Sequence, residues 1–192
     1  MYFTLLRLIL AITLAKLVLS SSQIPIVELQ QKSLTDQPFS SDIVMLSDIL
    51  GSSRRVNGFA GIIRNFPLIT SKFEDGNSNK TIVAPANTAI AAMSWKPWEN
   101  PDEYNTLGSE AYEGGKGKER ADQNLLRFVE AHIIPLSPWA EGEKAKTLAG
   151  REHWWHLKDG HRIIQPGDIK VLDVIRSESN DGELWIIDGV MN

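Results

Sequence analysis

Residues 81–88 read Thr-Ile-Val-Ala-Pro-Ala-Asn-Thr, a short β-branched strand, a proline stop and a helix-capping asparagine in one unit. Thr81, Ile82 and Val83 favour an extended chain. Pro85 has no N–H to give to a sheet ladder and biases Ala84 away from helix. Asn87 is then expected to cap a helix running through Ala89, Ile90, Ala91, Ala92 and Met93. A strand followed at once by a helix is the hinge around which the remaining segments are placed.

Upstream of it the pattern is helical. Ser40 or Ser41 is expected to cap a helix carrying Ile43, Leu46 and Leu50, at spacings of three and four. Gly51-Ser52-Ser53 interrupts, and a second helix places Val56, Phe59, Ala60 and Ile63 on one face until Asn65-Phe66-Pro67 ends it. Asp75-Gly76-Asn77-Ser78-Asn79 is a turn cluster that delivers the chain to Thr81. Downstream, Ser94 to Pro101 hold Trp95, Trp98 and two prolines, and Gly108 to Ala121 are rich in glycine and charge, the latter part being read as a surface insertion or mobile loop. Gly114-Gly115-Lys116-Gly117-Lys118 lacks the spacing of a phosphate loop and follows no strand. A periodic helix is expected from Asp122 through Leu125, Phe128, Val129, His132 and Ile133 to Pro135.

From there the chain reads as β. Asp159-Gly160 is a favoured two-residue turn between extended runs at 153–157 and 162–164. Ile169–Arg176 and Glu183–Ile187 are two more runs, joined by a polar loop at 177–182. Helices dominate the first half and strands the second, which defines an α+β protein without internal repeats.

The chain has 192 residues, 42% hydrophobic and 23% charged, which suits one ordinary domain with a sizeable core. Its formal net charge of −4 argues against nucleic acid as a partner. With no cysteine there is no disulfide framework, thiolate metal site or cysteine nucleophile. At the N-terminus, Arg7 precedes an apolar run from Leu8 to Leu19, broken by Lys16, and Ser20, Ser21 and Ser22 follow. Residues 1–22 are therefore expected to be a secretory signal peptide. The run falls short of the ~20 apolar residues that span a bilayer, so no membrane span is expected in the mature chain. Residues 23–40 are expected to be a polar leader, and 41–192 the folded domain.

The run at 81–88 resembles the first signature box of fasciclin-like domains, roughly Thr-Val-Phe-Ala-Pro-Thr-Asn-x-Ala, without the phenylalanine and with alanine for the second threonine. Three further segments resemble that family in the right order. Leu125 to Pro135 is similar to its second box, a helix ending in histidine and then apolar-x-Pro. Thr147-Leu148-Ala149-Gly150 is similar to the Thr-Leu-x-Gly that opens the β half. Leu184 to Met191 is similar to the closing box. The resemblance runs from about residue 41 to the C-terminus. It implies a β-rich wedge covered by helices, a single domain, and a non-enzymatic binding or adhesion module like the small fungal fasciclin-like proteins, which are often vacuolar. Two features depart from the family. Ala131 precedes the boxed histidine where adhesive animal members often carry the tyrosine of an integrin-binding pair, and the insertion at 94–121 is longer and more charged.

Among single residues, His132 shares a helical face with Leu125, Phe128 and Val129 and is read as a buried imidazole bonded to backbone, not as a base or ligand. In His153-Trp154-Trp155-His156, strand alternation turns the two histidines to opposite sides, so they do not share a metal. One of Trp154 and Trp155 is expected to be exposed, which makes the pair a candidate partner surface. Asp168 and Asp188 suit turns. Asn79-Lys80-Thr81 is an N-glycosylation sequon, with Asn79 the expected site if the leader directs export. No catalytic residue, metal or cofactor is expected, and the partner is a protein or carbohydrate. The competing functions are a lumenal hydrolase with a pocket assembled from His153, His156, His161 or Asp188, and a carbohydrate-binding module centred on Trp154 or Trp155. Vacuole and cell exterior both remain as destinations.

Overall fold

The strand read first, β1 (Lys80–Pro85), is buried along its whole length and lies between two other strands. The structure, a computed structural model, describes residues 44–73, 79–179 and 182–191. The expected signal peptide and leader, the cap at Ser40 or Ser41, and most of the turn cluster at 75–79 lie outside the described residues.

Seven strands form one sheet in the order β2-β1-β7-β6-β5-β4-β3. β2 is Ile133–Ile134, β3 Ala145–Lys146, β4 Glu152–Lys158, β5 His161–Gln165, β6 Ile169–Arg176 and β7 Gly182–Ile187. From β7 through β3 every pairing is antiparallel, as is that of β1 with β2. The exception is β1 beside β7, which run parallel from Lys80 opposite Gly182 to Pro85 opposite Ile187. Both are buried at every residue because both of their faces are covered. Leu148, just past β3, donates its N–H to the Ile133 carbonyl of β2 at 2.9 Å, drawing the two edges of the sheet together.

Side-chain alternation along β1 and β7 divides the interior in two. Ile82, Ala84, Leu184 and Ile186 face the helices α1 (Leu46–Ser52), α2 (Asn57–Ile63) and α3 (Pro67–Phe73). Leu46, Phe59, Ile63 and Phe73 close that layer, each almost fully buried. Val83, Trp185 and Ile187 point the other way, into the curl of the sheet, where Ile164, Trp139 and Trp155 meet them.

The Asp159-Gly160 turn lies where its sequence puts it. Both residues have positive φ, 52° and 76°, as a two-residue hairpin of this handedness requires. Pro67 was read as a terminator, yet it opens α3, since a helix's first residue needs no N–H.

Asn87 has a different job from the one its sequence suggests. It is the first residue of α4 (Asn87–Ala91), and its side chain does not cap that helix. Its Oδ1 accepts from the Gly58 N–H at 3.0 Å and its Nδ2 donates to the Arg54 carbonyl at 2.8 Å. Its own N–H donates to the Arg55 carbonyl at 2.9 Å. Val56, the residue before α2, has no side-chain acceptor, so Asn87 caps α2 from across the fold. A Cβ on Gly58 would stand 3.2 Å from Asn87 Oδ1, so glycine permits this approach.

The glycine-rich part, Gly108 to Ala121, is helical and not a mobile loop. Asn100 accepts from the Asp102 N–H through Oδ1 at 3.0 Å and caps α5 (Pro101–Leu107), which has proline at its first position. A 3₁₀ turn follows at Gly108–Tyr112, and α6 runs from Gly114 to Ala131. The long helix thus begins eight residues before Asp122. The glycines read as loop are its first turns, and Gly117 is buried against the Tyr112 backbone. A Cβ there would meet the Tyr112 carbonyl carbon at 2.2 Å.

Asn87→Ala should cost about 0.5–2 kcal/mol in urea unfolding, because α2 loses its cap at the Gly58 N–H and the Arg54 carbonyl loses its tie. Thr88→Ala, an exposed neighbour, should stay within about 0.5 kcal/mol of the parent. Equal stability of the two variants would contradict the clamp.

Candidate functional site

α6 carries the side chains that organise the site, on a face spaced by three and four residues. His132, the residue that ends α6, is fully buried. Its Nε2 accepts the Met191 N–H at 2.9 Å, so the ring proton sits on Nδ1, which donates to the Phe128 carbonyl at 2.6 Å. The ring lies between Phe128 and Phe59, with centroids 4.6 and 5.3 Å away. Both nitrogens are spent, as the sequence reading expected, and the bond to Met191 ties down the segment after β7. Burial pushes the His132 pKa down to about 4, against the opposing bond to Phe128, and the nearby His153 adds to the depression.

That tied segment forms one wall of a cleft of about 850 Å³. Segment 93–101 forms the opposite wall, with Trp95 (44% exposed), Lys96 and Pro97. α6 supplies Arg127 and Phe128, and the loop after β3 supplies Arg151. The 93–101 wall is held by a hydrogen-bond network. Glu99 accepts from the Lys96 N–H (2.9 Å) and the Tyr104 hydroxyl (3.0 Å). Asn124 Nδ2 reaches the Trp98 carbonyl (3.1 Å) and Glu103 Oε2 (2.9 Å), tying wall and α5 to α6. The Tyr112 hydroxyl donates to Glu103 (2.6 Å), and this bond above all holds the Glu103 carboxyl below the usual carboxylate range. Trp95 leans on Tyr104 at 5.5 Å.

The residues singled out in the sequence fall elsewhere. Trp155 is buried: its Nε1 donates to the Trp139 carbonyl (3.1 Å), its ring meets Trp185 edge-on, and the Arg162 guanidinium lies over both rings. It is therefore withdrawn as a partner surface. Trp154 takes the outward side of β4, half-buried, with Lys144 Nζ 5.4 Å from its ring centre. His153 is buried, and burial lowers its pKa, against an opposing interaction with the Gln165 backbone. His156 is on the other side of the strand, and His161 is exposed at the start of β5. Asp188 Oδ1 accepts the Lys170 N–H (2.9 Å), and Asp168, at positive φ, accepts from Gln165 (2.6 Å), so both serve turns. His153, His156, His161 and Asp188 line no part of the cleft. Among the described residues, no three His, Asp or Glu side chains gather closely enough to hold a metal ion. Nor is any described helix long and apolar enough to cross a membrane. Asn79 is exposed immediately before β1.

A helix layer over a curled, nearly closed sheet with one parallel pair beside β2 is a fasciclin-like architecture, the one found in a solved FAS1 domain pair from the insect cell adhesion molecule Fasciclin I. That match has a TM-score of 0.51 at 11% identity and covers 78% of this chain and 51% of that one. In sequence the chain is similar to curated fungal proteins. A FAS1 domain-containing protein of Neurospora crassa is 51% identical over 150 residues, 78% of this chain and 65% of the relative. One from Aspergillus fumigatus is 47% identical over 154 residues, 79% of this chain and 65% of the relative. One from Schizosaccharomyces pombe is 25% identical over 151 residues, 77% of this chain and 76% of the relative. No family model matches the chain. Fold and relatives together place the protein in the fasciclin-like (FAS1) family. The chain spans just under two thirds of the length of the first two relatives.

Because the unfolded chain takes up the His132 proton first, stability should be full above about pH 6.5 and decline as pH falls. It should level off once pH passes the folded value of about 4. The loss over that window is on the order of 3 kcal/mol. Urea unfolding of the parent and His132→Phe at several pH values separates this from carboxylate effects. The variant should be weaker at pH 7 but lose less on acidification, and parallel pH profiles would contradict the assignment.

Proposed function

We propose that this FAS1 protein is a non-catalytic binding module of the secretory pathway, residing in the vacuole or outside the cell, that engages a protein or carbohydrate partner. The observation that carries the proposal is the composition of the cleft. Its walls combine aromatic and aliphatic side chains with three basic and two acidic ones, and the four residues that a hydrolase would draw on lie away from it, each at a turn, on an edge or in packing. A reaction centre needs its acid, base or nucleophile within reach of one bound substrate, and these four do not converge. The likeness to a cell adhesion molecule supports a binding role of some kind. An integrin-type contact through the residue pair ending α6 fits poorly, because Ala131 and His132 are both buried.

The secretory destination is supported by the basic-then-apolar start of the chain and by Asn79. Its side chain reaches solvent, whereas the Thr81 hydroxyl of the same sequon is buried and donates to the Leu136 carbonyl at 2.7 Å. A glycan would therefore be attached before β1 folds.

Intact-mass measurement on protein purified from a fungal host, before and after glycosidase, tests the destination. We expect loss of the first 22 residues and a glycosidase-sensitive mass that Asn79→Gln abolishes. Thr81→Ala is unsuitable because it also removes the bond to Leu136. An unprocessed N-terminus would overturn export. For binding, the immobilised protein should retain a defined protein or cell-wall glycan, and retention of neither would overturn the module.

A further inference from the structure

The charge in the cleft runs against that of the chain. The whole protein carries a formal −4, yet Lys96, Arg127 and Arg151 converge on this one concavity. None of the three enters an ion pair among the described residues. Two carboxylates also line it, Glu99 and Glu130, so the cleft carries a formal +1 against −4 for the whole chain; the Glu99 oxygens are turned to the Lys96 N–H and the Tyr104 hydroxyl of the wall itself. The remaining surface is largely apolar: Trp95, Pro97, Phe128, Leu148 and Met191. A volume of about 850 Å³ falls within the range of ligand clefts, which hold a short segment or a small molecule and not a whole protein face.

We propose that the cleft receives an acidic peptide segment of a partner protein, with its carboxylates set against Lys96, Arg127 and Arg151 and an apolar side chain against Trp95 and Phe128. The proposal rests on the binding-module function above and names the partner's chemistry within it. Two observations favour peptide over glycan. A sugar offers many hydroxyls and needs many uncharged polar groups in return, whereas Ser94, Asn100 and Asn124 are the uncharged polar residues of the lining, and the amide nitrogen of Asn124 is spent on Trp98 and Glu103. Arginines present a planar fork that fits a carboxylate at two oxygens, and both here are exposed at the mouth. Pairs at such a wet rim add modestly to affinity and more to encounter rate and selectivity, so binding should be salt-sensitive.

The full chain is titrated with fluorescein-labelled acetyl-Glu-Asp-Phe-Leu-Asp-Glu-amide and read by anisotropy. The comparison probes are the same peptide with Gln and Asn for its acids, the acidic peptide with Ser and Gly for Phe and Leu, and polygalacturonate as competitor. The first peptide should bind, and each of the other two should bind at least tenfold more weakly. The R127E/R151E double variant should lose at least tenfold, and Trp95→Ala should weaken the apolar peptide selectively. These three residues are surface groups, and unchanged thermal unfolding of each variant shows that the fold persists; Lys96→Glu offers a second charge reversal. Equal binding of the neutral peptide, indifference to R127E/R151E, or no binding at all overturns the proposal. Polygalacturonate competing as well as the peptide overturns it in favour of an acidic glycan. A cellular partner still retained by R127E/R151E would end this proposal while leaving the broader binding function standing.

Discussion

A strand buried on both faces, β1, governs how everything else is arranged. Its pairing with β7 is parallel, so the two cannot be joined by a tight turn, and the chain between them must travel round the fold. That path holds α4 to α6 and strands β2 to β6. Alternation along β1 and β7 also fixes which side receives helices and which is enclosed by the curled sheet. A one-residue slip would send Ile82 and Val83 to each other's cores, whose walls are built for different shapes. The continuous burial of 80–85 and 182–187 makes register the least negotiable feature of the molecule.

His132 is where these constraints meet the site. Its backbone carbonyl accepts the Val83 N–H at 2.9 Å, extending β1's ladder, while its ring holds Met191. One residue thereby joins the end of α6, the central strand and the segment that lines the cleft. A leucine would fill the space between Phe59 and Phe128 but would leave a buried N–H and a buried carbonyl unmatched. A neutral imidazole satisfies one donor and one acceptor at once, which explains a polar ring in an apolar layer. The cost is a fold that resists acid less well than an aliphatic residue would allow, and that cost bears on any acidic destination.

Much of the fold was legible in the chain, and the exceptions have definite causes. The β hairpins could be read because Asp159-Gly160 and the alternating runs around it are local signals. Asn87 was read as a cap for its own helix because the partner that claims it, Gly58, lies 29 positions away. The same kind of long-range pairing hid Gly117, whose small size matters only once Tyr112 packs against it. Pro67 has a different cause: proline both ends one helix and opens the next, and the residue alone does not say which. Asn100-Pro101-Asp102-Glu103 did carry a start signal, with a cap, a first-position proline and acids in the first turn. In the Trp154-Trp155 pair, alternation showed that one ring would be buried, but not which, since that depends on which side the sheet curls toward.

The cleft itself was illegible for a related reason. Lys96, Arg127 and Arg151 are far apart in sequence and sit on three separate elements, so no window of residues displays them as a set. What brings them together is the segment 94–121, read as an appendage. Folded as α5, a 3₁₀ turn and the first turns of α6, it is held by Tyr104, Tyr112 and Asn124. Without that bracing, the wall carrying Trp95 would be a strap free to lie elsewhere, and ordering it on binding would draw on the affinity the cleft could offer. Because the polar network fixes the wall in advance, the apolar rings and the cations stand in place before any ligand arrives. The segment expected to be an appendage thus helps hold one wall of the domain's concave surface.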